Sequence, residues 1–141
     1  MKYLSLILPL FFFRMSSDST LQLICHRWKQ VGIKPFQKEF HPIQSQQGEV
    51  LSFHPDGTYE QLLYGRLSIN GVWKFSDDSN KLAFAITSMN GSPLKSLPLE
   101  NTTPTDSLVR LTTDTLIYAR LAYYGPEKVY GHDDWYYVRE K

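Results

Sequence analysis

The sequence predicts an all-β fold: an antiparallel up-and-down β-barrel of about eight to ten short strands, with a short N-terminal helix or turn. Three observations predict it. Aromatic residues are abundant, with nine Tyr, eight Phe and three Trp, and many Thr, Val and Ile accompany them; such residues suit a pleated, half-buried surface. Apolar and polar residues alternate in several segments, most clearly in Leu67–Phe75, where Leu67, Ile69, Trp73 and Phe75 share one parity around Gly71. Period two is the mark of a strand with one face buried. The connections between these segments are mostly of hairpin length, and closing such a meander removes the unpaired edges that an aromatic sheet exposes.

A chain of 141 residues is one domain's worth. A domain of that size buries roughly two thirds of its unfolded surface and needs no metal or disulfide staple. Cys25 is the single cysteine, so no intramolecular disulfide forms. Its neighbour His26 would point to the opposite face of a strand, which leaves the thiol without a positioned base. The formal net charge is +1. Near-neutrality argues against nucleic acid, which selects a basic face, and against an anionic membrane surface.

Residues 1–17 read as a signal peptide and residues 18–141 as the folded domain. Tyr3–Phe13 is an eleven-residue apolar run behind Lys2, too short for a helix crossing about 30 Å of hydrocarbon and suited to a signal-peptide core. This makes the protein exported, periplasmic or extracellular, without a transmembrane helix. If Met15 is the true start, it is cytoplasmic. Without residues 1–17 the chain carries 13 basic against 14 acidic residues.

The remaining elements follow in order. Ser17–Ile24 carries helix-start residues ahead of a short apolar group. Arg27–Ile33 is a strand bearing Trp28. Lys34–Gly48 contains two prolines and reads as an irregular connection with a short strand at Phe36–Phe40; a connection this long suits the cover of an opening. Glu49–Phe53 is a strand, His54-Pro55-Asp56-Gly57 a turn, and Thr58–Tyr64 the returning strand. Gly65-Arg66 suits a two-residue turn into Leu67–Phe75. Ser76–Asn80 is loop, Lys81–Met89 a strand, and Asn90-Gly91 a tight-turn signal before a proline-weakened strand at Ser92–Leu99. Asp106–Thr112 and Thr115–Tyr124 form the late hairpin, apolar on both faces. Gly125–Asp134 reads as a loop and Trp135–Arg139 as the closing strand.

F-x-x-D-G-T-Y at Phe53–Tyr59, G-x-W-K at Gly71–Lys74, the lead-in L-I-C-H-R-W-K at Leu23–Lys29 and V-R-L-T-T-D-T-L-I-Y at Val109–Tyr118 together resemble the small exported lipocalin-like domains of bacteria. The resemblance spans about residues 21–139. It implies a β-barrel with a short helix or turn near one end, and it supplies architecture more than ligand. His26 stands two residues before Trp28, where that family carries Gly.

A turn at Gly65-Arg66 would pair Leu62 with Ile69, Glu60 with Gly71 and Thr58 with Trp73. The interior would then be lined by Leu62, Tyr64, Leu67, Ile69, Trp73 and Phe75, with Trp28, Phe84 and Tyr118 from other strands and Glu60 as an inward polar anchor. The function this suggests is the binding of a small, mostly apolar ligand in a continuous enclosed cavity lined by the Leu62/Ile69/Trp73 face and open at one end, and dense packing of that face would overturn it. The alternative is a filled barrel acting as a protein–protein interaction or structural module through Lys34–Gly48, Gly125–Asp134 and an aromatic patch at Tyr123, Tyr124, Tyr130 or Tyr136. Arg110 and Arg120 sit on strands that otherwise look buried and would snorkel to water at a rim or, turned inward, grip a carboxylate. His132-Asp133-Asp134 are metal-ligand residue types, but three adjacent residues on one strand do not converge. No nucleophile elbow, phosphate loop or H-E-x-x-H occurs in the sequence, so neither an enzyme nor a cofactor is expected.

Overall fold

The computed structural model describes residues 15–44, 46–75, 80–95, 106–126 and 129–141, and the side chains of 15–18, 123, 129 and 130 are outside that description. The export signal expected over 1–17 therefore falls almost wholly outside the described residues. Among the described residues, helix α1 (Met15–Ile24) precedes ten strands: β1 (Arg27–Lys34), β2 (His41–Pro42), β3 (Val50–Phe53), β4 (Thr58–Leu63), β5 (Leu67–Phe75), β6 (Lys81–Met89), β7 (Ser92–Pro93), β8 (Asp106–Leu111), β9 (Thr115–Tyr124) and β10 (Val129–Arg139).

Eight of the strands form a ring. The order β1-β3-β4-β5-β6-β8-β9-β10 follows the chain, every pairing is antiparallel, and β10 returns to pair with β1 from Trp28↔Arg139 to Lys34↔Asp134. The two-residue strands β2 and β7 add to β1 and β6 from outside this order. An ion pair between Arg27 and Glu140 and a bond from the Glu140 N–H to the Arg27 carbonyl fasten the closing seam.

Turn chemistry explains most boundaries. At His54–Gly57 the Gly57 N–H donates to the His54 carbonyl at 3.1 Å, Gly57 has φ +86°, and Asp56 Oδ1 accepts from the Thr58 N–H and hydroxyl. Asn90 and Gly91 both lie at positive φ between paired Met89 and Ser92, the two-residue hairpin expected of Asn-Gly.

Three expectations need correction. The β4–β5 turn is centred on Tyr64-Gly65, both at positive φ, and the Arg66 N–H donates to the Leu63 carbonyl at 3.0 Å. The pairing is therefore Leu63↔Leu67, Gln61↔Ile69, Tyr59↔Gly71 and Thr58↔Val72. That is one residue from the expected register, and a one-residue slip exchanges the faces of β4. Tyr59, Gln61 and Leu63 share the face of Ile69 and Trp73; Glu60 and Leu62 lie on the other. Second, the short strand after Lys34 is His41–Pro42, not Phe36–Phe40. Third, β10 starts at Val129 and takes up much of the expected Gly125–Asp134 loop. Its polar run His132-Asp133-Asp134 pairs with Leu121-Arg120-Ala119 of β9, so polarity there marks strand faces and not a turn.

The core is gathered at one end of the ring. Trp28 opens β1, Phe53 ends β3, Tyr59 begins β4, Trp73 nears the end of β5, Leu82 opens β6, Leu116 opens β9 and Tyr137 nears the end of β10; all are buried in one cluster. In an up-and-down ring alternate strand starts and ends meet at the same rim, so this list describes one half of the interior. The C-terminal end of α1 closes it. Ile24 is fully buried, Leu21 and Cys25 pack beside it, and the Ile24 carbonyl accepts from Trp28 Nε1 at 2.8 Å. Aromatic edges fill the space, with Phe53 against Trp73 at 5.1 Å and Tyr59 against Phe84 at 5.2 Å between ring centroids.

Gly71 is where that packing is tightest. A Cβ there would meet the Ala85 carbonyl oxygen at 2.3 Å and the Tyr59 ring at 2.6 Å. Gly71→Ala is accordingly expected to lower stability by about 1–3 kcal/mol or more, read as the shift of the urea unfolding midpoint. A variant as stable as the parent would mean that β5 and β6 do not approach in this way.

Candidate functional site

The other half of the ring is open and polar. Glu49 stands just before β3, in phase with Leu51 and Phe53, and so points inward; it is 4 % exposed. Gln30 follows Trp28 on the inner face of β1, also buried, and Gln61 follows Tyr59 on β4. From β8 and β9 come Asp106, 1 % exposed, and Arg120.

These groups form two joined clusters. The Tyr118 and Tyr137 hydroxyls lie 2.7 Å apart, and both contact Glu49 Oε1, Tyr118 at 3.2 Å and Tyr137 more closely. Two hydroxyls bring two protons to these three contacts, so one contact at a time lacks a proton. Gln61 Nε2 donates to Glu49 Oε2 at 2.5 Å, and the Glu49 N–H donates to Gln30 Oε1 at 3.1 Å. Arg120 forms the second cluster. Its Nη2 donates to Asp106 Oδ2 at 3.0 Å and to the Tyr118 hydroxyl at 3.4 Å, and its Nε faces both Asp106 oxygens at 3.3 Å. The guanidinium also lies over the Trp135 and Tyr118 rings, 5.0 and 5.5 Å from their centroids. Burial opposes its charge, yet Tyr118 and the Asp106 carboxylate outweigh that and raise its pKa. Burial, with Glu49 adding to it, holds both phenols well above the ordinary tyrosine range, so they remain hydrogen-bond donors.

Beside this floor is a cavity of about 720 Å³, walled by Ile33, Ile43, Leu63 and Trp135 and floored by Glu49, Gln61, Gln30 and Arg120. A smaller space of about 270 Å³ shares Gln61 and Arg120 with it and lies against Phe84, Tyr59 and Tyr118. The Lys34–Gly48 connection supplies Ile43 and Gln47 to the larger cavity, in keeping with its expected place over an opening. Its two phenylalanines hold it to the rim. Phe36 lies over Gly131 and beside Tyr124, its N–H donating to Asp133 Oδ1 at 2.9 Å, while Phe40 lies over Gly32 with its ring 5.0 Å from that of Tyr136.

The expected lining residues separate into four groups. Trp28, Trp73 and Phe75 belong to the packed half, and Ile69 is buried on the same face with Leu67 half-buried beside it. Phe84 and Tyr118 border the smaller space. Glu60 and Leu62 are turned outward by the register change; Glu60 is exposed and lies 3.7 Å from His54. Tyr64 is 68 % exposed in the turn, at the edge of the larger cavity. The Ile69/Trp73 face is thus packed and Leu62 lies on the opposite face, which overturns the expected cavity lined by Leu62, Ile69 and Trp73; the open space lies elsewhere in the ring. Arg110 is exposed, whereas Arg120 turns inward onto Asp106. Of the expected aromatic patch, Tyr124 is half-buried against Phe36 and Tyr136 against Phe40, and the side chains of Tyr123 and Tyr130 lie outside the described residues.

The polar floor was missed, though its signal was present. Glu49, Gln30 and Gln61 share parity with Leu51, Trp28 and Tyr59, so a strict reading of period two turns all three inward. Asp106 is likewise in phase with Leu108, and Tyr137 with Trp135.

Tyr59, buried beside this cluster, has its pKa pushed up to about 12 by burial, with the Asp106 and Glu49 carboxylates adding and Arg120 opposing. In the unfolded chain a tyrosine ionises near 10. The unfolded state therefore binds fewer protons between these values, and stability is complete below pH 10 and falls as pH rises from there through about 12. Parallel titrations of circular dichroism and tyrosinate absorbance should show a late group of tyrosines ionising together with loss of the sheet signal, and Tyr59→Phe should make the decline shallower. Ionisation of all nine tyrosines near 10 with the sheet intact would contradict the placement of these phenols. Compared with known proteins, the chain matches no family model, and no curated protein matches its sequence.

Proposed function

We propose that this is a lipocalin-like binding protein that holds one small, mostly apolar molecule inside the open half of its ring and performs no chemistry on it. The observation that carries this reading is the 720 Å³ cavity beside a hydrogen-bonded polar floor. Its size falls within the range of small-molecule sites, and such sites combine apolar walls with a few fixed polar groups. Ile33, Ile43, Leu63 and Trp135 would cover the body of the ligand, and the floor would orient its polar end. If residues 1–17 direct export, the ligand is met outside the cytoplasm.

A side chain that fills the cavity tests the reading. Leu63 is half-buried, on the inner face of β4 next to the turn. Leu63→Trp should reduce uptake of an apolar fluorescent probe such as Nile red by about tenfold, a loss of about 1.4 kcal/mol, with little change in thermal stability. Equal uptake by parent and variant, or none by either, would argue against an interior binding site.

A further inference from the structure

The charges inside the open half do not balance, and the imbalance has a place. Among the described residues, Glu49 and Arg120 carry charge at the floor of the larger cavity, and the Asp106 carboxylate stands behind Arg120 on the smaller space. Arg120 is turned onto Asp106, with Nη2 and Nε both directed at that carboxylate. Glu49 receives hydrogen bonds from two phenols and one carboxamide, and among the described residues no Lys, Arg or His forms an ion pair with it. Its charge is thus solvated by neutral donors and not offset by a cation.

We propose that the cavity is built for a ligand with an ammonium end, an alkyl or arylalkyl amine whose counter-charge is Glu49. This rests on the interior-binding reading above and names the class of ligand. A carboxylate offers about four acceptor directions. The two phenols converge on Oε1 and Gln61 alone reaches Oε2, so acceptor capacity remains on an atom belonging to a residue that lines the cavity. Buried charges are retained when paired, and a ligand cation would complete the pair. The apolar remainder of such a ligand would lie along Ile33, Leu63 and Trp135. An anionic ligand fits poorly, because the Arg120 guanidinium at the floor is already committed to Asp106 and the Glu49 carboxylate faces the same space.

Three probes with the same alkyl chain test the inference: octylammonium, octanol and octanoate, each competing with Nile red on the full chain at neutral pH. The expected order is octylammonium tightest by about tenfold over octanol, with octanoate weakest, and Glu49→Gln should bring octylammonium and octanol to within about threefold of each other. Octanoate binding as tightly as octylammonium, or a preference for the amine that survives Glu49→Gln, would overturn it. Should Glu49→Gln not fold, the ranking on the parent protein decides alone. Nile red uptake that Leu63→Trp reduces, with no discrimination among the three end groups, would remove this inference and leave the binding reading standing. Absence of Nile red uptake would remove both.

Discussion

A carboxylate can be buried in a ring of strands only if donors reach it from several of them, and Glu49 meets that condition. It precedes β3, Gln61 comes from β4, Tyr118 from β9 and Tyr137 from β10. Tyr137 reaches it because β10 pairs back onto β1 and so completes the ring. Closure and polar satisfaction therefore depend on each other. An open sheet would leave Tyr137 at a free edge, and Glu49 would lose a donor that truncation cannot replace. Removing a partner from a buried carboxylate generally costs more than the hydrogen bond itself contributes, because the charge remains desolvated.

The same network divides the interior. On one side the aromatic rings of Trp28, Phe53, Tyr59 and Trp73 interlock and α1 covers the end. On the other, the floor consists of fixed hydroxyl, carboxamide and guanidinium groups, and the ring remains open. Tyr118 and Tyr137 belong to both halves, with stacked rings 5.2 Å apart in the core and hydroxyls at Glu49. A ring of about eight strands is just wide enough for side chains to fill. Here large aromatics fill one half, and the smaller Ile33, Leu63 and Ile43 leave the other unfilled.

The architecture was legible because it rests on local signals. Leu67–Phe75, Lys81–Met89 and Thr115–Tyr124 have the bounds that alternation and turn chemistry indicate. The site was less legible because it depends on register. At Tyr64-Gly65-Arg66 the glycine suits either of two adjacent turn positions, and placing it second puts a tyrosine at φ +52°, a conformation that nothing in the residue type favours. That one step exchanged Glu60 for Gln61. A second obstacle was the bulge at Val109: Leu108 pairs with Tyr118 and Arg110 with Ile117, so parity changes within β8 and no single alternation follows it.

The inward turn of Arg120 shows what kind of information the sequence lacked. Residues at i, i+2 on a strand share a face, so Tyr118 and Arg120 point the same way, and burial of Tyr118 alone would place Arg120 inside. A half-buried guanidinium on an inner strand face is held there by a carboxylate that receives it, and Asp106 stands 14 residues away in the chain. The two come together because β8 and β9 pair Asp106 directly with Arg120. Once that pair exists, Glu49 is, among the described residues, the carboxylate at the floor held by neutral donors alone, which is why the character of the cavity follows from strand pairing and not from any single motif.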